Sequence, residues 1–337
     1  MPIFLVYLHP NATKHQKRFM SIREILKKEA GKEHFSFEVL PPLKGNGTGN
    51  LFQTIEKLKE FNPLFINITN HSSEYVYNEL ENGLIERHRI RRRPGSVAIA
   101  AAIQNKFDIP VMPHIICSGA TADDIEYELL DLQFLGIENL LLLRGDKAQE
   151  DKRFTPVKGG YAHPTELIKQ VNKFNEGFFI DGSPIKHPGK PFNFGVACYP
   201  EKHEEAPNLE QDLIHLKEKQ DLGASYAVTQ LFYDNEKFYD FVGKAKDMGI
   251  TIPIIPALKP FAKLSQLNVV PKTFHCDFPS ELANEALKCK SDEDAKQLGI
   301  EWSVNQVKDL YAHGFSNVHF FTVSAVDSVR EIMKQLI

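Results

Sequence analysis

The chain has little cysteine and no long hydrophobic run, and both shortages exclude whole classes of protein. Only Cys117, Cys198, Cys276 and Cys289 occur among 337 residues. They form no CxxC pair and no close Cys/His spacing for structural zinc, so we expect neither a disulfide scaffold nor a zinc module, and a reducing cytoplasm is the plain expectation. No apolar stretch approaches the roughly 18 residues of a membrane-spanning helix. The apolar residues 3–8 have no basic region before them and are too short for a signal peptide.

The chain also lacks a large excess of charge of either sign. Its 40 Lys and Arg face 44 Asp and Glu, which gives a net charge of −4. This small negative total disfavours a general binder of nucleic acid or of anionic membranes. With 42% apolar and 25% charged residues, the composition is that of a globular protein that can bury a full core.

From Gly31 onward, short apolar runs alternate with amphipathic stretches, which predicts a parallel sheet with helical crossovers. Eight such units favour one α/β domain, a (β/α)8 TIM-type barrel at 31–337, after an N-terminal extension at 1–30. The extension holds an extra helix that the capping box Ser21-Ile22-Arg23-Glu24 begins. An open Rossmann-type sheet is the alternative, but its G-x-G-x-x-G fingerprint is missing. The predicted strands are Phe35–Val39, Leu64–Ile68, Val111–Ile116, Asn139–Leu143, Phe194–Cys198, Tyr226–Leu231, Ile252–Pro256 and Val318–Val323.

Three segments depart from this rhythm. Residues 177–191 are rich in Gly and Pro and predict an insertion before the fifth strand, whereas residues 258–312 are long enough for two or three helices. The run Arg87-His88-Arg89-Ile90-Arg91-Arg92-Arg93 predicts a solvated loop face or a contact between subunits, with anion binding as the alternative.

In barrels of this type the chemistry lies at the C-terminal ends of the strands. There the sequence places Glu38, Thr69, Asn70, His71, His114, Arg144, Gly145, Asp146, Tyr199, Glu201, His203, Glu205, Gln230 and Thr322.

Position alone leaves several roles open. Glu38 is either a buried general acid or, if it points outward among the helices, a member of a salt bridge. Asp146 could cap a helix or form an ion pair in a loop, and His114 could be a hydrogen-bonded core histidine. The spacing of Glu201, His203 and Glu205 invites a metal, but no second cluster completes the ligand set, so no metal is expected.

Taken in order, six motifs resemble methylenetetrahydrofolate reductase of the bacterial, catalytic-domain-only type. They are Ser36-Phe37-Glu38 with Pro41-Pro42, Pro113-His114, Leu143-Arg144-Gly145-Asp146, Tyr199-Pro200-Glu201-Lys202-His203, Thr229-Gln230-Leu231-Phe232-Tyr233-Asp234 and His319-Phe320-Phe321-Thr322. The resemblance implies a TIM-type barrel that binds FAD noncovalently. It also implies that NADH or NADPH reduces methylenetetrahydrofolate to methyltetrahydrofolate in a ping-pong cycle, which supplies methyl groups for methionine synthesis.

The resemblance also implies residue roles. Glu38 would protonate the folate ring nitrogen, Asp146 would bind the pterin and favour hydride transfer by its charge, and Gln230 would hydrogen-bond the pterin or the nicotinamide amide. Phe261 is the candidate for stacking on folate. The positions that match the FAD site are Thr69, His114, Arg144, Gly145, Asp146, Tyr161, Ala162, Tyr199, His203, Glu205, Asp212 and Lys219. Family members are commonly homo-oligomers.

Two departures from the family pattern concern the same site. Asn70-His71 stands where an aromatic often follows Thr69, and Ser324-Ala325 stands where some members carry an Asn-Arg pair that helps to bind the nicotinamide substrate. Two rival functions stay open: a flavin barrel of another specificity, similar to proline dehydrogenase, and a noncatalytic homologue that binds flavin or folate. Glu38 and Gln230 argue against the first rival, because amine oxidation needs no strong acid at the first strand. Glu38, Asp146 and Gln230 together argue against the second, because a binding module needs no proton donor.

Overall fold

The computed structural model describes residues 19–147, 151 and 153–337. The helices are α1 (Ile22–Lys28), α2 (Gly49–Lys59), α3 (Ser96–Phe107), α4 (Ala122–Leu135), α5 (Pro164–Asn175), α6 (Leu209–Asp221), α7 (Asn235–Asp247), α8 (Gln266–Phe274), α9 (Ser280–Ala286), α10 (Asp292–Ala312) and α11 (Val326–Leu336). The strands are β1 (His34–Val39), β2 (Ile66–Ile68), β3 (Glu74–Glu79), β4 (Ile85–Ile90), β5 (Val111–Ile116), β6 (Asn139–Leu143), β7 (Asn193–Cys198), β8 (Ala227–Thr229), β9 (Ile254–Ile255), β10 (Ala257–Leu258) and β11 (Asn317–Phe321).

Nine of these strands form one parallel sheet in the order β10-β11-β1-β2-β5-β6-β7-β8-β9. Its two terminal strands, β9 and β10, are separated in the chain only by Pro256, so the sheet closes on itself. Together they occupy one strand position of the barrel. β9 pairs with β8, and β10 pairs with β11. The predicted TIM-type barrel is therefore confirmed, with its seventh strand interrupted at Pro256 and continued to Leu258.

Helix α1 packs beneath the barrel, at the N-terminal ends of the strands. The predicted capping box forms between Ser21 and Glu24. The side chain of Asn139, the first residue of β6, accepts a hydrogen bond from the Ile22 N–H at 2.9 Å. Ile22 and Ile25 contact the apolar side chains that fill the lower barrel, which include Phe65, Met112, Leu141, Tyr226 and Val228. The part of the predicted extension before residue 19 lies outside the described residues.

The strands of the barrel are buried on both sides, which explains their continuous apolar runs. On β1, Phe37 and Val39 point outward and pack with residues of α2, whereas Glu38 between them points into the barrel. The alternation of side chains along a strand requires this split. The outward salt-bridge reading of Glu38 is therefore wrong.

The basic run at 87–93 does not lie in a simple loop, and this part of the prediction is wrong. Residues 87–90 belong to β4, which pairs with β3 as an antiparallel hairpin separate from the barrel sheet. Gly83, with a φ of +77°, forms the turn. β3 carries Tyr75, Val76 and Tyr77 in succession, and the two isoleucines of β4, Ile85 and Ile90, lie on opposite faces. The alternation of apolar and polar residues that usually predicts a strand is therefore missing. The residues of β4 from Ile85 to His88 are exposed, as a solvated surface requires.

The other irregular segments agree with expectation. Residues 177–191 connect α5 to β7 without a helix or a strand of the barrel, and the carboxylate of Glu126 fixes them by accepting the Ile180 N–H at 2.6 Å. Residues 258–312 hold the three helices α8, α9 and α10. In the described part of the chain, no helix has the length and apolarity needed to span a bilayer.

Candidate active site at the barrel mouth

The side chain of Glu38 lies inside the barrel, and its surroundings favour the neutral acid. Burial raises the pKa of this carboxyl group to about 8, and the charge of Lys259 only partly opposes the shift. Its nearest titratable neighbour is His114 of β5, whose Nε2 atom lies 3.6 Å from the carboxylate, too far for a good hydrogen bond. Burial and the charge of His71 lower the pKa of His114 to about 3, so this ring is neutral near pH 7. Glu38 therefore keeps its proton near neutral pH without a strong ion pair.

A layer of polar side chains surrounds Glu38 within the barrel. The Ser36 hydroxyl lies 2.8 Å from Nδ1 of His319, and burial lowers the pKa of His319 to about 3. Asn67 is aligned with Glu38 on the neighbouring strand, and both of its amide atoms are buried without a protein partner. The Nε2 atoms of His114 and His319 are also buried without one. Buried polar atoms normally have a hydrogen-bond partner, so this layer fits a polar ligand or ordered water.

Arg144, Gly145 and Asp146 directly follow the fourth barrel strand, β6. The Ser118 hydroxyl donates to the Asp146 carbonyl at 2.7 Å, while the Asp146 side chain stays exposed. Gly145 has a φ of +80°, and a Cβ atom there would lie 2.8 Å from the Cβ atom of Ser118. Only glycine suits this position, which brings bare backbone to the mouth.

Glu38 and Asp146 lie at the same end of the barrel, and electrostatic interactions link them through two histidines. Glu38 neighbours His114, whose pKa responds to the charge of His71. Burial and the charge of Arg93 lower the pKa of His71, and the carboxylate of Asp146 acts on it in the opposite sense. Thr69 completes this side of the mouth, with its hydroxyl 3.3 Å from Nε2 of His71.

A second group of predicted residues lies beyond the fourth and fifth barrel strands. Arg144 forms an ion pair with Glu205, and its guanidinium stands 4.6 Å from the ring centre of Phe154. Partial burial alone would raise the pKa of Glu205, but the hydrogen bond and the charge of Arg144 lower it overall. The rings of Tyr199 and His203 meet edge to face at 4.8 Å.

The base of this group is held by backbone contacts. The Asp212 carboxylate accepts the His203 N–H at 2.7 Å. The ammonium group of Lys219 donates to the Ala197 carbonyl at 2.7 Å, and burial lowers its pKa.

Tyr161 and Ala162 lie beside the turn that precedes α4. The Ala122 N–H donates to the Gly159 carbonyl at 2.9 Å, and a Cβ atom at Gly160 would lie 2.4 Å from the Ala120 carbonyl oxygen. Ala162 donates its N–H to Glu166 at 2.9 Å. These predicted residues therefore border the same region as Gly145.

Glu201, His203 and Glu205, whose spacing alone would invite a metal, make separate contacts. Glu201 accepts a hydrogen bond from Lys237 at 2.6 Å, whereas Glu205 contacts Arg144. Within residues 19–147, 151 and 153–337, no three His, Cys, Asp or Glu side chains come together as metal ligands. All four cysteines are free thiols.

The two predicted substrate residues of the later strands are placed differently. Gln230 directly follows the sixth barrel strand, β8, and is half-buried. Its side-chain oxygen accepts the Leu231 N–H at 2.8 Å. Phe261 is 1% exposed and packs with Tyr233, Val270 and Phe278 instead of lining the open mouth. The structure therefore does not bring Phe261 to the group around Glu38.

Sequence reasoning missed Ser36, Asn67, His319 and Lys259. The first three stand inside strands, where a polar residue gives no sign of its direction until the neighbouring strands are known. Lys259 had a weaker signal. It lies three residues after the predicted seventh strand, Ile252–Pro256, at a strand end to which no polar residue was assigned.

Some groups of this site could bind a ligand. Arg144 and His203 offer N–H donors of the kind that bind phosphate. His114 contributes a buried ring nitrogen without a protein partner.

Comparison with known proteins gives one family. A family model described as methylenetetrahydrofolate reductase matches residues 21–337. Methylenetetrahydrofolate reductase (NADH) 1 of Arabidopsis thaliana is 30% identical over 313 residues, which cover 91% of this chain and 49% of that protein. This chain thus spans about half the length of that relative. The 5,10-methylenetetrahydrofolate reductase of Escherichia coli (strain K12) is 26% identical over 315 residues, which cover 93% of this chain and 94% of that enzyme.

A solved structure supports the fold. A Clostridium thermocellum protein, described as binding two copies of 5-methyl-5,6,7,8-tetrahydrofolic acid, aligns with a TM-score of 0.56 at 15% sequence identity. The alignment covers 93% of this chain and 98% of that one.

Proposed function

The chain belongs to the methylenetetrahydrofolate reductase family, and we propose that it reduces methylenetetrahydrofolate to methyltetrahydrofolate with electrons from NADH or NADPH. In this proposal FAD binds noncovalently at the barrel mouth, and the nicotinamide and folate substrates use that mouth in turn. The methyl group formed would serve methionine synthesis.

One observation carries the proposal: a buried carboxylic acid at the end of the first strand that is neutral near pH 7. The pKa of Glu38 is about 8, so the group both holds a proton at neutral pH and can release it. Ring opening of methylenetetrahydrofolate needs a proton on a ring nitrogen, which leaves an iminium carbon that accepts hydride. Glu38 is the group at the mouth that can deliver this proton.

Asp146 and Gln230 would orient the folate. The Asp146 backbone is fixed by Ser118, so its exposed carboxylate is free to accept hydrogen bonds from the pterin amide edge. Its negative charge also favours the iminium cation over the neutral substrate. Gln230 carries an amide two strands farther around the barrel, after β8, and this amide would suit the pterin or the nicotinamide amide.

FAD, when bound, supplies hydride transfer between the nicotinamide and folate substrates. We propose that Thr69, His114 and Gly145 lie along its ring, with Tyr161 and Ala162 beside them. Arg144, Tyr199, His203, Glu205, Asp212 and Lys219 would hold its ribose and diphosphate. Since Arg144 is already paired with Glu205, its guanidinium is oriented before the phosphates arrive.

The colour of the purified protein tests the proposal. We expect a yellow protein that NADH or NADPH bleaches without oxygen and that methylenetetrahydrofolate then restores, with methyltetrahydrofolate as the product. A protein that takes up no FAD would overturn the proposal and favour a noncatalytic role. Bleaching by an amine substrate such as proline, without a response to folate, would favour the flavin barrel of another specificity.

A further inference from the structure

Lys259 lies in the same layer of the barrel as Glu38. Strand β10 pairs with β11 so that Leu258 stands beside Phe320, and the next position along β10, Lys259, therefore falls beside Phe321. On the other side of β11, Phe321 is paired with Glu38. Neighbouring positions in a parallel sheet point to the same face, so Lys259 and Glu38 flank Phe321 inside the barrel.

The ammonium group of Lys259 is half-buried and incompletely satisfied. It donates one hydrogen bond, to the Val323 carbonyl at 2.8 Å, although an ammonium carries three N–H donors. No carboxylate of the described chain reaches ion-pair distance from it. Burial lowers the pKa of Lys259, whereas the nearby carboxyl group of Glu38 raises it. The cation is thus held at the mouth by backbone alone.

The other groups that face Glu38 carry no positive charge near neutral pH. His114 approaches from β5 and His319 from β11, and burial keeps both rings neutral. Asn67, from β2, has no titratable group. His71 and Asp146 lie farther from Glu38. The charge of His71 acts on His114, and the charge of Asp146 acts on His71. Among the described residues, Lys259 is the cation whose charge acts on Glu38.

A general acid must also be stable in the charged form that remains after it has given up its proton. When the Glu38 O–H bond breaks, the proton goes to the lone pair of the folate nitrogen, and a carboxylate stays behind in a site with little water. An isolated buried carboxylate is costly, and a cation nearby lowers that cost. Solvent water returns the proton before the next turnover.

We propose that Lys259 is a positioning residue that stabilises the carboxylate form of Glu38 and so sets how readily Glu38 gives up its proton. This inference rests on the proposed function only for the identity of the proton acceptor. It assigns a role to a residue that follows the seventh strand, and it explains why a lysine stands half-buried there without a carboxylate partner.

Infrared spectroscopy tests the proposal directly. The carboxyl stretching band of Glu38, identified by its loss in Glu38→Gln, is titrated in the holoenzyme and in its Lys259→Met, Lys259→Gln and Lys259→Arg variants. Without the cation, the midpoint should rise by about one to two pH units in both neutral variants, and Lys259→Arg should stay near wild type. Lys263→Met, an exposed lysine of the same segment, is the matched control and should change nothing.

The rate of the folate half-reaction gives the second measurement. In Lys259→Gln, the alkaline limb of its pH profile should move upward by the same amount, and the plateau should fall about tenfold because the acid is weaker. A lower rate with an unmoved midpoint and limb would show a merely structural role and overturn the inference. A moved midpoint in a protein that does not turn over folate would leave the inference standing and refute the proposed function. Turnover of folate with an unmoved midpoint would overturn the inference and leave the proposed function standing.

Discussion

At the scale of single residues, the central feature is that Glu38 is an acid held without a strong partner. Its neighbours on β1, Phe37 and Val39, pack outward, so the carboxyl group points into the barrel, where Glu38 is 9% exposed. Burial raises its pKa to about 8, which is the requirement for a proton donor at neutral pH. The same burial has a consequence for stability.

Replacing Glu38 by Gln should change the pH dependence of stability. The pKa of Glu38 is about 8 in the folded chain and near 4.5 when unfolded, so the folded state binds more protons between these values. The free energy of unfolding of the wild type should therefore fall as pH rises through this window and level off above it. Glu38→Gln should lack this loss, and the difference between the two proteins should grow to about 4–5 kcal/mol.

Urea denaturation of both proteins between about pH 5 and pH 9 measures this difference. Other titrating groups are common to both chains and cancel in the comparison. Parallel stability curves would mean that Glu38 ionises as an ordinary exposed carboxyl group.

Replacing Asp146 by Asn should separate the two halves of the reaction. Ser118 holds the Asp146 backbone rather than its side chain, so the turn should keep its shape. Loss of the negative charge should weaken folate binding and slow the folate half-reaction about tenfold or more, because the iminium cation is less stabilised. Stopped-flow absorbance of the two half-reactions measures this, with bleaching by NADH as the internal control. Equal slowing of both would contradict the electrostatic role.

At the scale of elements, the sequence was most informative where a strand or helix meets the core. In the amphipathic stretches, apolar residues recur at helical spacing, and a cap such as Thr121 marks where a helix begins. The hairpin of β3 and β4 was missed because its apolar residues are divided between both faces and none of them belongs to the buried core. The sequence there shows no alternation of apolar and polar residues. Its cross-strand contacts, such as Arg87 over the Tyr75 ring at 4.2 Å, depend on the pairing and not on local sequence.

Helix α10 gives a prediction at this scale. Its Gly299 is buried, and a Cβ atom there would lie 1.7 Å from the carbonyl oxygen of Phe261. Gly299→Ala should therefore push α10 away from the segment after β10 and destabilise the protein by about 1–3 kcal/mol.

The matched control is Gly243→Ala on helix α7, where no atom lies within 4 Å of the added Cβ. That change should stabilise the protein by about 0.5–1 kcal/mol, because alanine favours the helix. Thermal or urea unfolding of both variants measures the contrast. A Gly299→Ala protein as stable as the control would show that α10 does not touch Phe261.

At the scale of the whole molecule, strand–helix alternation was enough to predict the barrel and the end at which polar residues gather. The interruption of the seventh strand at Pro256 was not predictable, because it depends on which residues face β8 and which face β11. For the same reason, the direction of Ser36, Asn67 and His319 into the barrel needed the register of neighbouring strands. Phe261 looked like a residue of the mouth by position, but the helices after β10 cover its ring.

The whole account depends on Glu38 giving a proton to folate inside this mouth, and Glu38→Gln is the most direct test. Glutamine keeps the shape of the side chain and removes the acidic proton. In anaerobic stopped-flow measurements, the variant should still be bleached by NADH or NADPH at close to the wild-type rate. Its recovery of colour with methylenetetrahydrofolate should be slower by about a hundredfold or more. Recovery at the wild-type rate would contradict the account.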